Sequence, residues 1–238
     1  MRVLINPSKL AFSYKVAQPL RVIAIGDSLV YGYGDCEGGG WVERLRRDWM
    51  GEEGGHVLYN LGVRGDTVAR VKQRLPQEFA CRGEVRNRLP DLILLCVGVN
   101  DTPRLGHKQG RNQTSHQQFT TDINELLEVA VELAPVMFVG MVPVDESKMP
   151  LFDCLYFNLT DQYRYKEICK RACEQRNIPY LDIFDLWMSK GDYWRQSQMS
   201  ADGLHPNSRG YETLYRQIKD WLETIIPACH HKNSRIKN

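Results

Sequence analysis

The sequence predicts an α/β fold built on an open, doubly wound, five-stranded parallel sheet with helices on both faces. Two observations carry that prediction. Five apolar runs of strand length, at 21–25, 57–61, 92–97, 136–141 and 180–184, are mostly continuous rather than alternating. Such runs suit strands covered on both faces, as in a parallel sheet. Between them lie segments whose apolar residues recur with helical spacing, giving a repeated strand–helix order.

In order, the run 21–25 (RVIAI) forms the first strand and leads into Gly26-Asp27-Ser28-Leu29. Residues 41–50 form an amphipathic helix with Trp41, Leu45 and Trp49 on one side. The second strand, 57–61, precedes a helix at 67–75 that aligns Val68, Val71 and Leu75. The third strand, 92–97, precedes a helix at 119–133 with Ile123, Leu126, Leu127 and Ala130 in phase. The fourth strand, 136–141, is followed by a helix at 162–175. The fifth run, 180–184, is interrupted by Asp182, and a last helix at 211–226 is capped by Asn207 or Ser208. Two longer connections remain: 102–118 is polar, while 142–160 carries Met149, Leu151, Phe152, Leu155, Tyr156 and Phe157. Loops of this length in compact domains often serve as lids or binding loops.

The 238 residues suffice for one domain with a sizeable core, over 21–226, between an N-terminal extension (1–20) and a basic tail (227–238) read as a frayed end. A net charge of +2 is too near neutral to argue for nucleic acid or an anionic membrane as partner. Seven cysteines, an odd number without a CxxC pair, suggest neither a disulfide framework nor a zinc site. Cys169 and Cys173, four apart on a helix, read as packed thiols, and Cys36 as a bystander near Ser28. Asn6, Ser8 and Lys9 break any signal-peptide core, and no apolar stretch reaches the ~18 residues of a spanning helix. The expected location is therefore cytoplasmic, without stable membrane insertion, so the glycosylation patterns at Asn112 and Asn158 carry little weight. Oligomeric state is not legible.

Four segments carry chemistry: Gly26-Asp27-Ser28-Leu29, Asn60-Leu61-Gly62-Val63-Arg64-Gly65-Asp66-Thr67, Gly98-Val99-Asn100-Asp101 and Asp202-Gly203-Leu204-His205-Pro206. A serine hydroxyl needs a base to take its proton, and histidine titrates near neutrality. Of the six histidines only His205 has an acid, Asp202, at a useful spacing, with a glycine between them to allow a tight turn. An oxyanion needs fixed donors. Gly65 can offer an unobstructed backbone N–H, Asn100 a side-chain amide, and Ser28 its own N–H. All these residues follow strands, at the sheet edge where open α/β folds gather their working groups. Taken alone, each segment reads as an ordinary turn. Ser28 is not in a GxSxG elbow, since Val30 stands where the second glycine would be. Arg64-Gly65-Asp66 also reads as a cell-adhesion tripeptide, which a cytoplasmic chain would not use.

Together the four segments resemble the blocks of the SGNH hydrolases, also called GDSL lipases or esterases, and the resemblance spans residues 21 to about 222. It implies a flavodoxin-like three-layer α/β/α sandwich with no metal or organic cofactor. It implies Ser28 as nucleophile, His205 as base, Asp202 as its partner, and Ser28, Gly65 and Asn100 as the oxyanion hole. Gly62 is an alternative to Gly65, which is preferred because Gly65-Asp66-Thr67 resembles the block in bacterial thioesterase and lysophospholipase members. Asp27 resembles the family's aspartate that steadies the nucleophile turn, a structural role. The implied function is a serine-dependent carboxylic ester hydrolase acting on a small-molecule ester.

Substrate choice belongs to the two long loops, which the motifs do not predict. The apolar residues of 149–157, with Tyr31 and Tyr33, suit an acyl chain or simply pack, while the polar loop suits a sugar O-acetyl ester. A non-catalytic flavodoxin-like binding domain is the rival from another class. It lacks support because no GxGxxG or GxxxxGK[ST] phosphate loop is present.

Overall fold

The computed structural model describes residues 19–52, 55–83 and 88–226. The predicted tail, 227–238, and all but the last two residues of the N-terminal extension lie outside the described residues. In chain order the elements are β1 (Arg21–Gly26), α1 (Ser28–Tyr31), α2 (Gly40–Gly51), β2 (Val57–Gly62), α3 (Val68–Ala80), β3 (Leu92–Cys96), β4 (Arg104–Leu105), α4 (His116–Leu133), β5 (Val136–Val139), β6 (Leu155–Tyr156), α5 (Leu159–Glu174), β7 (Tyr180–Leu181), α6 (Ile183–Met188), α7 (Asp192–Gln198) and α8 (Ser208–Ile225).

Five strands form one parallel sheet in the order β2-β1-β3-β5-β7. Counting only these five, the order is 2-1-3-4-5, the flavodoxin-like arrangement, with its switch point between β1 and β3. Successive residues of β1 and β3 feed opposite cores. Ile23, Ile25, Ile93 and Leu95 pack with α3, α4 and α5. Val22, Ala24, Leu92 and Leu94 pack with α2, α6 and α8. Both faces of these strands are buried, which is why their sequences run apolar from Val22 and from Leu92.

The structure departs from the sequence reading in several places, and it decides between the two caps read for the last helix. The fifth strand stops at Leu181, because the Asp182 side chain accepts a hydrogen bond from the Asp185 N–H and starts α6. The remaining apolar residues of that run, Ile183 and Phe184, are therefore buried from a helix. Helix α3 continues past residue 75 to Ala80 with Pro76 inside it. Of the two caps read from the sequence, Asn207 is the one that caps α8, accepting from the Gly210 N–H.

A further difference concerns the two long loops, which clasp each other. Their short strands β4 and β6 pair antiparallel, Arg104 opposite Tyr156. Beside them the fully buried Asp161 receives the Arg104 guanidinium through two hydrogen bonds, of 2.6 and 3.1 Å. Asn112 and Asn158 donate their side-chain amides to the same carboxylate. Burial raises the Asp161 pKa, but these donors outweigh it and hold the group below its ordinary value. Among the described residues no helix is long and apolar enough to cross a membrane.

Candidate active site

Ser28 is the first residue of α1, directly beyond the carboxyl end of β1. Asp27 caps that turn: its Oδ1 accepts the Leu29 N–H at 2.9 Å. Asp27 is completely buried, and among the described residues its other oxygen has no hydrogen-bond partner. Burial pushes its pKa up to about 7, against the lowering effect of the Leu29 bond. The short helix lies against the end of β2. A Cβ on Gly62 would meet the Tyr31 nitrogen at 2.1 Å, so only glycine permits that approach.

His205 reaches the same place from the loop between α7 and α8. That loop is held by Ser200 N–H to His205 carbonyl at 2.8 Å, and by the Asn207 amide on the carbonyls of Ser197 and Met199. His205 Nε2 lies 2.8 Å from Ser28 Oγ, and Nδ1 lies 2.7 Å from Asp202 Oδ2. Ser28 and His205 are buried. The other Asp202 oxygen accepts from Ser200 Oγ and from the backbone N–H groups of Leu204 and His205. Burial works against the charged form of Asp202. The bonds from the His205 ring, the His205 N–H and Ser200 more than offset it and hold the carboxylate well below its ordinary range. A charged acid on Nδ1–H fixes the imidazole with its free lone pair toward the serine hydroxyl. That series of groups lets a serine lose its proton as it attacks.

The segments that follow β2 and β3 are tied together beside this series. Asn100 donates its side-chain amide to the Asp66 carbonyl at 3.0 Å. Asp101 accepts the Val68 N–H at the start of α3 and the Thr114 hydroxyl, at 3.0 and 2.6 Å. Burial raises the Asp101 pKa to about 6 despite those two bonds. Arg74 binds the buried Asp66 carboxylate at 2.7 Å and the carbonyls of Gly26 and Leu61, the ends of β1 and β2. Gly65 has φ of +80° and open space where a side chain would sit. Among the described residues neither the Gly65 nor the Ser28 N–H meets a protein acceptor. The Gly62 N–H, in contrast, donates to the Asn60 side chain at 3.0 Å. The Arg64-Gly65-Asp66 tripeptide does not display its acid, since Asp66 is buried on Arg74.

The structure thus links Ser28, His205 and Asp202 in series and ties the Gly65 segment to Asn100. Asp101 stood in a quoted segment, but its bond to the next helix was not legible there. Arg74, one of many scattered arginines, gave no signal at all. Cys36 lines a cleft of about 620 Å³ with Tyr31, Tyr33, Glu43 and Asn60, beside α1. Cys169 and Cys173 are free, buried thiols whose pKa values burial pushes up.

Known proteins agree with this architecture. The GDSL-like Lipase/Acylhydrolase family profile matches residues 24–213. The Escherichia coli protein thioesterase 1/protease 1/lysophospholipase L1 is 22% identical over 92% of this chain and 89% of its own. The isoamyl acetate-hydrolyzing esterase of Saccharomyces cerevisiae is 25% identical, but over only 34% of each chain, so the match spans about a third of that relative. Among solved structures, a lipase/acylhydrolase from Enterococcus faecalis superposes with a TM-score of 0.68 at 22% identity, covering 86% of this chain and 96% of that one. The acetyl xylan esterase AlAXEase gives 0.66 at 19%, covering 85% and 100%. These two likenesses show a shared fold, and the profile match over most of the sequence shows that the chain belongs to the GDSL-like lipase/acylhydrolase family of ester-hydrolysing enzymes.

Proposed function

We propose that the chain is a serine-dependent carboxylic ester hydrolase working through an acyl-enzyme, with Ser28 as nucleophile, His205 as base and Asp202 as the acid that orients it. The observation that carries this reading is the unbroken series from Asp202 Oδ2 through the His205 ring to Ser28 Oγ, at 2.7 and 2.8 Å. Ser28 Oγ attacks the ester carbonyl as its proton passes to His205 Nε2. The N–H groups of Ser28 and Gly65 and the Asn100 amide receive the oxyanion. The alcohol leaves with the proton from His205. Water, deprotonated by the same imidazole, then releases the acid and regenerates Ser28.

Asn100→Ala is expected to lower kcat by about 10²–10³ with a smaller change in KM, because the amide acts on charge that develops only in the transition state. Steady-state kinetics on a p-nitrophenyl ester measures this, and a kcat within threefold of wild type removes Asn100 from the oxyanion hole.

The acyl group is short in this reading. Met149, Leu151 and Leu155, which in sequence suited an acyl chain, pack against the core beside α4 and α5, and Phe157 is buried. Among the large apolar residues of that loop, Phe152 is the exposed one. Proteins similar to this chain include both an acetyl xylan esterase and a thioesterase/lysophospholipase, so a sugar O-acetyl ester and a lipid-like ester are the two alternatives. In a p-nitrophenyl series from acetate to palmitate, kcat/KM is expected to peak among the shortest esters. A peak at octanoate or beyond restores the acyl-chain reading.

A further inference from the structure

Arg64 sits immediately before Gly65 and is exposed. Its guanidinium carbon lies 3.9 Å above the centre of the Tyr33 ring. The same ring meets the His205 imidazole, 4.6 Å away between centroids and edge-on at 63°. One aromatic ring therefore separates a guanidinium from the imidazole that touches Ser28. The platform is fixed by its backbone: the Tyr33 N–H donates to the Ser28 carbonyl, and the Tyr33 carbonyl accepts the Tyr211 hydroxyl, both at 3.0 Å.

Arg21, Arg44, Arg74 and Arg104 each hold a carboxylate. Arg64 has none among the described residues, and the nearest acid in sequence, Asp66, is engaged by Arg74. Stacking on a ring uses the flat face of a guanidinium and leaves its N–H edges free for a planar or tetrahedral oxyanion. The chain as a whole is nearly neutral, so this cation is a local feature and not part of a general basic surface.

We propose that Arg64 makes the enzyme prefer esters that carry a negatively charged carboxylate or phosphate group a few atoms from the scissile carbonyl. This rests on the reading of Ser28 and His205 as the reacting pair. The guanidinium would hold the anionic group through charge-assisted hydrogen bonds while the ester carbonyl lies against Ser28.

Two matched pairs of acetyl esters test it: 4-acetoxybenzoate against its methyl ester, and 4-acetoxyphenyl phosphate against its dimethyl ester. In each pair the ratio of kcat/KM, charged over neutral, is read for wild type, Arg64→Gln and Arg64→Lys. In Arg64→Gln the ratio is expected to fall about tenfold in at least one pair, mainly through KM, a size set by one solvent-exposed charged contact. Arg64→Lys keeps part of the preference, and added salt shrinks it in wild type. A fall confined to one pair identifies which anion is recognised. Equal ratios in wild type and Arg64→Gln for both pairs overturn the proposal, even if both rates drop together. Hydrolysis of the neutral esters that persists in Ser28→Ala instead strikes the catalytic reading, so the two failures are distinguishable.

Discussion

Ser28→Ala is expected to lower kcat on p-nitrophenyl acetate by roughly 10⁴–10⁶, leaving little beyond the background reaction. The substitution removes one oxygen atom, and that atom is the one in contact with His205 Nε2. The fold should not change, because the turn is capped by the Asp27 carboxylate, not by the serine. Tyr33 and Gly32 donate to the Ser28 carbonyl, which alanine retains. Initial rates together with a thermal melt separate the two effects. A variant that melts like wild type and keeps a tenth of its activity would mean that another group is the nucleophile.

Asp202→Asn is expected to cost roughly 10²–10⁴ in kcat. Oδ1 of Asp202 accepts three hydrogen bonds, from Ser200 Oγ and the N–H groups of Leu204 and His205. An asparagine must keep its oxygen there, which turns its NH₂ toward His205 Nδ1. Nδ1 then becomes the acceptor, the ring proton moves to Nε2, and Nε2 can no longer take a proton from Ser28. The same carboxylate has a lowered pKa in the folded state. Its contribution to stability is therefore fully present above the ordinary carboxylate pKa, near 4, and is lost as pH falls below it. The gap between the denaturation midpoints of wild type and Asp202→Asn should be present above about pH 5 and shrink as pH falls below the ordinary carboxylate range. Divergence on acidification would mean that the charged form is not favoured by folding.

The sheet was legible because β1 and β3 are buried on both faces, so their residues from Val22 and from Leu92 onward are apolar, while Arg21 at the start of β1 is buried only by pairing with Asp91. The end of β7 was misread because Ile183 and Phe184 are as apolar as strand residues, while the side chain that redirects them, Asp182, is a capping residue inside the run. Helix α1 was not legible because four residues are too few to show a period. The clasp between the long loops was invisible because its strands are two residues each and its anchor joins Arg104 to Asp161, 57 positions away.

At the site, the segments bearing Ser28, Asp202 and His205 could be recognised, since Asp202 and His205 share one loop and their spacing sets their geometry. The preference for Gly65 over Gly62 rested on the likeness of Gly65-Asp66-Thr67 to a family block, whereas the close approach of α1 to Gly62 and the bond of the Gly62 N–H to Asn60 are visible only in three dimensions. Arg74 and Asp101 tie strand ends to helices by contacts that no spacing rule encodes. The Arg64–Tyr33–His205 stack likewise joins three segments distant in sequence.

The most direct test of the account is covalent trapping with a p-nitrophenyl alkylphosphonate, which an activated serine attacks and cannot release. Intact mass followed by peptide mapping should show one phosphonyl group per chain, on Ser28, absent from Ser28→Ala and formed far more slowly in His205→Gln. An adduct on any other residue, or equal labelling of wild type and Ser28→Ala, would contradict the assignment of Ser28 as the activated nucleophile.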